Sequence, residues 1–161
     1  MVRATHYLFI VLFVLIASTP VSAGDKGPIT PSDKDRCPVC GMFVKKYSAS
    51  AAQIIFKDGS YAVFDGVKDM FKYYFNLTKY NSGKKLTNID SIYVTDYYDL
   101  KWIDGYKVFY VEGSDVYGPM GRELIAFEKE AGAEQFMTDH IGKSLLKFDE
   151  ITYDLIKSLD R

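Results

Sequence analysis

Apolar and polar positions alternate in short segments along this chain, and the first of these segments predict a β-hairpin. Ala52–Phe56 and Tyr61–Phe64 are short runs rich in aliphatic and aromatic residues, which is typical of buried strands. The residues between them, Lys-Asp-Gly-Ser at 57–60, contain the Asp-Gly pair that favours a tight hairpin turn. We therefore expect two antiparallel strands in this region.

The hydrophobic period changes after the hairpin, and the new period predicts a helix. The apolar residues fall at i, i+3, i+4, i+7 and i+8 and so share one helical face: Val67, Met70, Phe71, Tyr74 and Phe75. Asp65 stands just before this stretch and is predicted to cap the helix.

The later part of the chain shows a similar succession of patterns. Strands are predicted at 91–95, 106–111, 124–127 and 143–148, a helix at about 128–140, and a short terminal helix from Asp149. Tyr61–Phe71 resembles Ile125–Phe136, because in each segment a strand leads into a helix. Strands outnumber helices and the hairpin turns are short, so we predict an α+β fold of two similar ββαβ units with antiparallel sheets.

The predicted organisation places the two units after two N-terminal segments. Residues 1–23 form a predicted signal peptide, and the polar, proline-containing residues 24–36 form a predicted flexible lead-in. The first ββαβ unit is predicted at 37–80 and the second at 88–161, with a polar loop between them.

The amino terminus has the three parts of a secretory signal. Arg3 supplies a positive charge, Leu8–Ala17 is an apolar run of ten residues, and Val-Ser-Ala ends at a cleavage position after Ala23. The alternative is a membrane anchor, but a spanning helix needs about 20 apolar residues. We expect an exported, periplasmic protein, which would stay tethered to the membrane only if this segment remained uncleaved.

Composition narrows the class of protein further. Hydrophobic residues make up 48% and charged residues 25%, which is typical of a globular chain. The net charge of −1 gives no basic excess, so no nucleic-acid partner is expected. Aromatic residues reach 16%, which favours a compact, sheet-rich core.

The most informative chemical motif is Cys-Pro-Val-Cys-Gly-Met at 37–42, which contains both cysteines of the chain, Cys37 and Cys40. A disulfide between them would close a minimal loop and stabilise the fold little. A thioredoxin-like redox pair needs its first cysteine at a helix start. Here Gly41 and poor helix formers follow, so a turn is favoured over a helix.

Besides a disulfide and a redox pair, the motif could form one of two kinds of metal site, a zinc site or a copper(I) site. Structural zinc needs four ligands, usually from two cysteine pairs, and this chain has one pair. Copper(I) accepts fewer ligands and prefers thiolates and thioethers. The residues therefore favour Cu(I) over zinc, a redox pair or a plain disulfide, without excluding the other three.

Three further residues extend the candidate ligand set. Met42 follows Cys40 closely, although it could instead begin the core of the next strand. Met120 lies in a Gly-Pro-Met-Gly turn, where a bend could direct its thioether to a metal. His140 could supply a nitrogen, or it could cap its helix. A chain with no nucleophile elbow, phosphate loop or histidine cluster is not expected to be an enzyme.

Taken together, these motifs resemble the NosL family, exported copper-binding accessory proteins of nitrous oxide reductase. The matching elements run from 37 to 151 in this order: Cys-Pro-Val-Cys-Gly-Met at 37–42, Phe-Asp at 64–65, Asp-Met-Phe at 69–71, Tyr-Val-Thr-Asp at 93–96, Trp-Ile-Asp at 102–104, Tyr-Val-Glu-Gly-Ser at 110–114, Gly-Pro-Met-Gly at 118–121, the helix ending in His140, and Phe-Asp-Glu-Ile at 148–151.

The resemblance implies a two-unit ββαβ architecture distantly like the organomercurial lyase fold. It also implies Cu(I) binding by Cys37, Cys40, Met42 and Met120, with His140 as a further candidate. The implied role is delivery of copper to an extracytoplasmic copper enzyme, nitrous oxide reductase or similar, or to membrane-bound assembly machinery. The alternative function is a thiol–disulfide oxidoreductase that uses the two cysteines.

One position departs from the family pattern. Family members often carry a cysteine at the cleavage site, where a lipid is attached, whereas this chain has Ala23 followed by Gly24. We therefore expect a protein without a lipid anchor, whose client could be a different copper protein.

Overall fold

The structure, a computed structural model, describes residues 27–160. The predicted signal peptide at 1–23, its cleavage point and the first residues of the lead-in lie outside this range. Within it, every helix is too short or too polar to cross a lipid bilayer.

Short strands and helices follow one another along the described chain. The strands are β1 Ala52–Phe56, β2 Tyr61–Phe64, β3 Ile89–Thr95, β4 Trp102–Asp104, β5 Phe109–Glu112, β6 Tyr117–Gly118, β7 Gly121–Arg122, β8 Ile125–Phe127 and β9 Ser144–Leu146. The α-helices are α1 Val67–Phe75, α2 Leu77–Tyr80, α3 Glu130–Asp139 and α4 Tyr153–Ser158. Single 3₁₀ turns occupy Val44–Tyr47, Leu86–Asn88 and Phe148–Glu150.

The first sheet has the strand order β2-β1-β3-β4, and every neighbouring pair is antiparallel. All five residues of β1 are buried, because this central strand is covered on both faces. Its one polar side chain, Gln53, exchanges two hydrogen bonds with the backbone of Ile29, at 2.9 and 3.2 Å. The predicted lead-in is thus tied to the sheet at Ile29.

The second sheet has the order β8-β5-β9, again antiparallel, and α3 packs against it. A second apolar cluster lies between this sheet and α3, and it includes Phe127 of β8 with Ala133 and Phe136 of α3. The small hairpin of β6 and β7 precedes β8, with Pro119 and Met120 at its tip.

These sheets confirm the predicted α+β class with antiparallel pairing. Strand-to-helix junctions occur at β2–α1 and β8–α3, the two segments that resemble each other in sequence. The predicted second unit began at 88, but Ile92 of β3 pairs with Ile54 of β1, so β3 and β4 complete the first sheet. The likeness to organomercurial lyase remains a prediction.

A dense group of aromatic rings fills the space beneath α1. Phe71 is fully buried, and its ring centroid lies 5.0 Å from that of Phe148 and 5.6 Å from that of Tyr110. These contacts join α1, β5 and the chain after β9. The high aromatic content of the sequence is therefore used to fill the core.

The start of α1 differs from its prediction. The helix begins at Val67, the N-cap is Gly66, and no side chain caps it. Asp65 is buried at the end of β2, and its carboxylate faces the cysteine motif instead.

Candidate metal centre

The cysteine motif forms a closed turn. The backbone N–H of Cys37 donates to the Met42 carbonyl at 2.9 Å, and the N–H of Gly41 donates to the Cys37 carbonyl at 2.8 Å. Gly41 adopts a φ of 81°, a left-handed conformation that glycine reaches without steric cost. This backbone brings both sulfur atoms to the same side of the turn, next to the β2–α1 junction.

Two carboxylates from that junction meet the two thiols. The Cys40 thiol donates to Oδ1 of Asp65 at 3.0 Å, and the Cys37 thiol donates to Oδ2 of Asp69 at 3.4 Å. One ligand atom from each of these four residues lies within 4.8 Å of the others. The arrangement therefore has the dimensions of a site for a single metal ion.

Three of the four residues in this cluster are almost completely buried. Cys37, Asp65 and Asp69 are each no more than 2% exposed, whereas Cys40 is half-buried. Among the described residues, Oδ2 of Asp65 and Oδ1 of Asp69 have no hydrogen-bond donor, although Oδ1 of Asp69 lies 3.5 Å from the Lys72 ammonium. Buried carboxylate oxygens without donors are costly, and a bound cation would satisfy them.

The surroundings keep both thiols protonated. Burial raises the pKa of Cys37 far above the usual thiol range, and the neighbouring carboxylates raise it further. Burial and the hydrogen bond to Asp65 raise the pKa of Cys40 to about 12. Both thiols are free rather than joined in a disulfide. A metal ion that binds here must displace protons from sulfur.

Met120 contacts helix α1, which carries Asp69, through its backbone. Its carbonyl accepts a hydrogen bond at 2.7 Å from the side chain of Lys68, the residue that precedes Asp69. The Met120 residue is 46% exposed at the tip of the β6–β7 hairpin. Met42 is half-buried at the end of the cysteine turn. Both thioethers remain candidate ligands.

His140 has different neighbours. Its Nδ1 lies 2.9 Å from Oδ1 of Asp115, and its ring packs 4.4 Å from the ring of Phe136. His140 directly follows the last residue of α3, which is the position of a helix C-cap. Within residues 27–160, His140 is not part of the Cys/Asp cluster, and its role as a ligand stays a prediction.

The two carboxylates were missed as site residues by the sequence analysis. The sequence predicts a helix cap at Asp65 and assigns no ligand role to Asp69. The sequence signal is a pair of acidic residues four positions apart at a predicted strand-to-helix junction. Only the three-dimensional structure shows that these carboxylates meet the thiols.

Comparison with known proteins gives consistent matches. The NosL family model matches residues 28–156. The "Copper-binding lipoprotein NosL" of Stutzerimonas stutzeri is 27% identical, over 91% of this chain and 80% of that protein.

Two solved structures are also similar. The crystal structure of the copper chaperone NosL from Shewanella denitrificans superposes with a TM-score of 0.69 at 23% identity, over 80% of this chain and 98% of that one, and shows a shared fold. The solution structure of apo-NosL from Achromobacter cycloclastes matches with a TM-score of 0.47 at 26% identity, over 65% of this chain and 87% of that one.

Proposed function

Because this chain belongs to the NosL family, we propose that it is an exported Cu(I)-binding protein that carries copper to a copper enzyme outside the cytoplasm. The observation that carries the proposal is the convergence of both cysteine thiols, with two buried carboxylates, on one point of the structure. The protein would act as a carrier and not as a catalyst.

The ligands fit a soft monovalent ion. Thiolates of Cys37 and Cys40 and thioethers of Met42 and Met120 are the donors that Cu(I) prefers. His140 is retained as a further candidate, because its Nε2 could bind a metal while Nδ1 keeps its contact with Asp115. In the metal-free protein, Asp65 and Asp69 accept the thiol hydrogen bonds and so orient the two sulfur atoms.

The difference in exposure between the ligands suggests how copper could be passed on. Cys37 is buried, while Met120 is 46% exposed at the tip of a hairpin. An incoming ligand from a partner could displace the exposed thioether first, and the buried thiolate last. Because thioethers are neutral, this exchange does not require protonation of Met120.

The proposed client is nitrous oxide reductase or a similar copper enzyme, reached directly or through membrane-bound assembly machinery. This assignment rests on family membership. The Stutzerimonas relative is named a lipoprotein, which supports export as the shared property. Ala23 and Gly24 in place of a cysteine support a protein released from its signal peptide.

The thiol–disulfide oxidoreductase alternative is disfavoured by the state of the thiols. A redox-active pair needs a thiolate of lowered pKa in an electropositive surrounding. Here burial and two carboxylates raise the pKa of both cysteines, that of Cys40 to about 12. Such thiols are poor nucleophiles and good candidates for displacement of their protons by a metal.

The test is a Cu(I) titration of the reduced protein under nitrogen, in competition with a chromogenic Cu(I) chelator, with ions per chain counted by native mass spectrometry. One copper per chain is expected. Cys37→Ser, Cys40→Ser, Met42→Leu and Met120→Leu should each weaken binding. Met137→Leu is the matched control, because Met137 packs in the second apolar cluster.

Failure of the protein to compete with the chelator would contradict the proposal. The reduction potential of the Cys37–Cys40 pair would then be measured, because the oxidoreductase would become the leading interpretation.

A further inference from the structure

Lys68 is a buried cation directed at the Met120 turn. Its side chain is 1% exposed, and its ammonium donates to the Met120 carbonyl at 2.7 Å. The same ammonium lies 3.3 Å from Oδ1 of Asp160 near the end of the chain. A buried ammonium is costly unless it is paired and hydrogen-bonded, so these contacts must hold it in one place.

Glu123 makes a second contact between helix α1 and the β6–β7 hairpin. Its Oε1 accepts hydrogen bonds from the backbone N–H of Lys68 at 2.5 Å and from that of Leu124 at 2.9 Å. Its carboxylate lies between Gly66 and Gly118, since a Cβ at either glycine would collide with Oε2. Glu123 thus joins the base of the β6–β7 hairpin to the first turn of α1.

The conformation of the β6–β7 hairpin depends on contacts with the rest of the fold. β6 and β7 are two residues each, and Tyr117 and Met120 at this hairpin are 65% and 46% exposed. An isolated two-stranded ribbon is marginally stable even when it is longer. Contacts from α1 must therefore contribute to fixing where the Met120 side chain is presented.

The helix that makes these contacts also carries one of the site's carboxylates. Lys68 is followed directly by Asp69, which accepts the hydrogen bond of the Cys37 thiol. One turn of α1 therefore holds the thiol side of the cluster through Asp69 and the methionine turn through Lys68. Helix α1 therefore connects the cysteine ligands to the turn that carries Met120.

We propose that Lys68 is a positioning residue that holds the Met120 turn against the first turn of α1, next to Asp69 of the cysteine cluster, and that Glu123 supports the same contact. This inference rests on the proposed function, because it concerns the same copper site. Lys68 does not touch the ion; it lowers the cost of ordering the hairpin when the thioether binds. Pre-organisation of this kind raises affinity without adding a ligand.

The experiment is a double-mutant cycle on the full chain, with Cu(I) alone as the probe and affinity measured by chelator competition. Lys68→Leu removes the ammonium and should weaken Cu(I) binding about five- to tenfold, which corresponds to the net loss of one typical intramolecular hydrogen bond. In the Met120→Leu background, Lys68→Leu should have no further effect. Lys68→Arg should restore most of the affinity, and the exposed Lys101→Leu is the matched control.

A second measurement separates positioning from general stability. The ¹³C-labelled methyl resonance of Met120 should shift on addition of Cu(I), and in Lys68→Leu the shift should need more copper. If Lys68→Leu weakens Cu(I) binding equally with and without Met120, its role is structural and the inference is overturned. If Met120→Leu itself leaves affinity unchanged, the ligand assignment in the proposed function fails instead.

Glu123→Ala provides an independent route in case Lys68→Leu does not fold. It should weaken Cu(I) binding only when Met120 is present, and Glu123→Gln should retain the affinity because its amide oxygen can still accept both backbone hydrogen bonds. Equal weakening by Glu123→Ala in both backgrounds would contradict the inference.

Discussion

The Sγ atom of Cys40 lies 3.0 Å from Oδ1 of Asp65, so that a thiol from the N-terminal turn and a carboxylate at the end of β2 share one hydrogen bond across 25 residues of sequence. Asp65 therefore does not cap α1, which begins at Val67 with Gly66 as its N-cap and no side-chain cap. The contact also means that the acidity of the thiol depends on the carboxylate.

Replacing Asp65 should therefore make Cys40 more acidic. The carboxylate of Asp65 is, after burial, the largest cause of the raised pKa of the Cys40 thiol. Asp65→Asn should lower this pKa, which would appear as faster alkylation by iodoacetamide between pH 8 and 10. Asp99→Asn, an exposed carboxylate, should leave the rate unchanged. An unaltered pH profile in Asp65→Asn would show that the carboxylate does not control the thiol.

Glu123 should make the stability of the metal-free protein depend on pH. Burial raises its pKa from 4.5 to about 8, with Lys68 lowering it and Asp69 raising it. The folded state therefore retains a proton that the unfolded state has lost. The free energy of unfolding should fall as pH rises from about 4.5 to about 8.

Glu123→Gln isolates this contribution. The variant carries no titratable group at 123, so the difference in its stability from the parent should grow in favour of the variant as pH rises through this range. Urea unfolding at pH 5, 6, 7 and 8 measures the difference. A constant difference across the series would show that the proton on Glu123 does not contribute.

The aromatic core should depend strongly on Phe71. This fully buried ring contacts those of Phe148 and Tyr110, so Phe71→Ala should cost about 3–5 kcal/mol of unfolding free energy through lost burial and a cavity. Phe75 lies on the same helix but is 37% exposed, and Phe75→Ala should cost about 1 kcal/mol. Chemical denaturation of both variants checks this order, and equal losses would contradict it.

The cysteine turn should require glycine at 41. Its φ of 81° is left-handed, and a Cβ there would meet no atom within 4 Å, so the strain of Gly41→Ala would come from the backbone alone. We expect a loss of about 1–2 kcal/mol, and a smaller one for Gly41→Asn. Gly27→Ala is the control, because Gly27 has equal space without the left-handed φ. Equal stability of both alanine variants would exclude backbone strain.

The elements that the sequence predicts well are those with a strong local pattern. β2 occupies the predicted residues Tyr61–Phe64, and α1 covers the five predicted apolar positions. The Gly-Pro-Met-Gly segment is a turn, as expected. In each case neighbouring residues along the chain determine the conformation, so one sequence is sufficient.

What the sequence does not reveal depends on contacts between distant residues. The pairing of Ile92 with Ile54 completes the first sheet, yet an apolar strand can pair equally well in either half of the chain. Lys68 falls in a helix where lysine is expected to face solvent, but it is buried beneath the Met120 turn. Likewise, an acidic residue before a helix predicts a cap, and only tertiary structure turns Asp65 towards a thiol.

The hydrogen bonds between Gln53 and Ile29 limit the distance between the folded domain and a membrane, if the N-terminal apolar segment stayed in that membrane. Only residues 18–28 would then link the apolar run Leu8–Ala17 to the sheet, and fully extended they reach at most about 40 Å. The folded body would be confined to a thin layer beside the bilayer. Its encounters with copper donors and clients would become a two-dimensional search over the membrane surface.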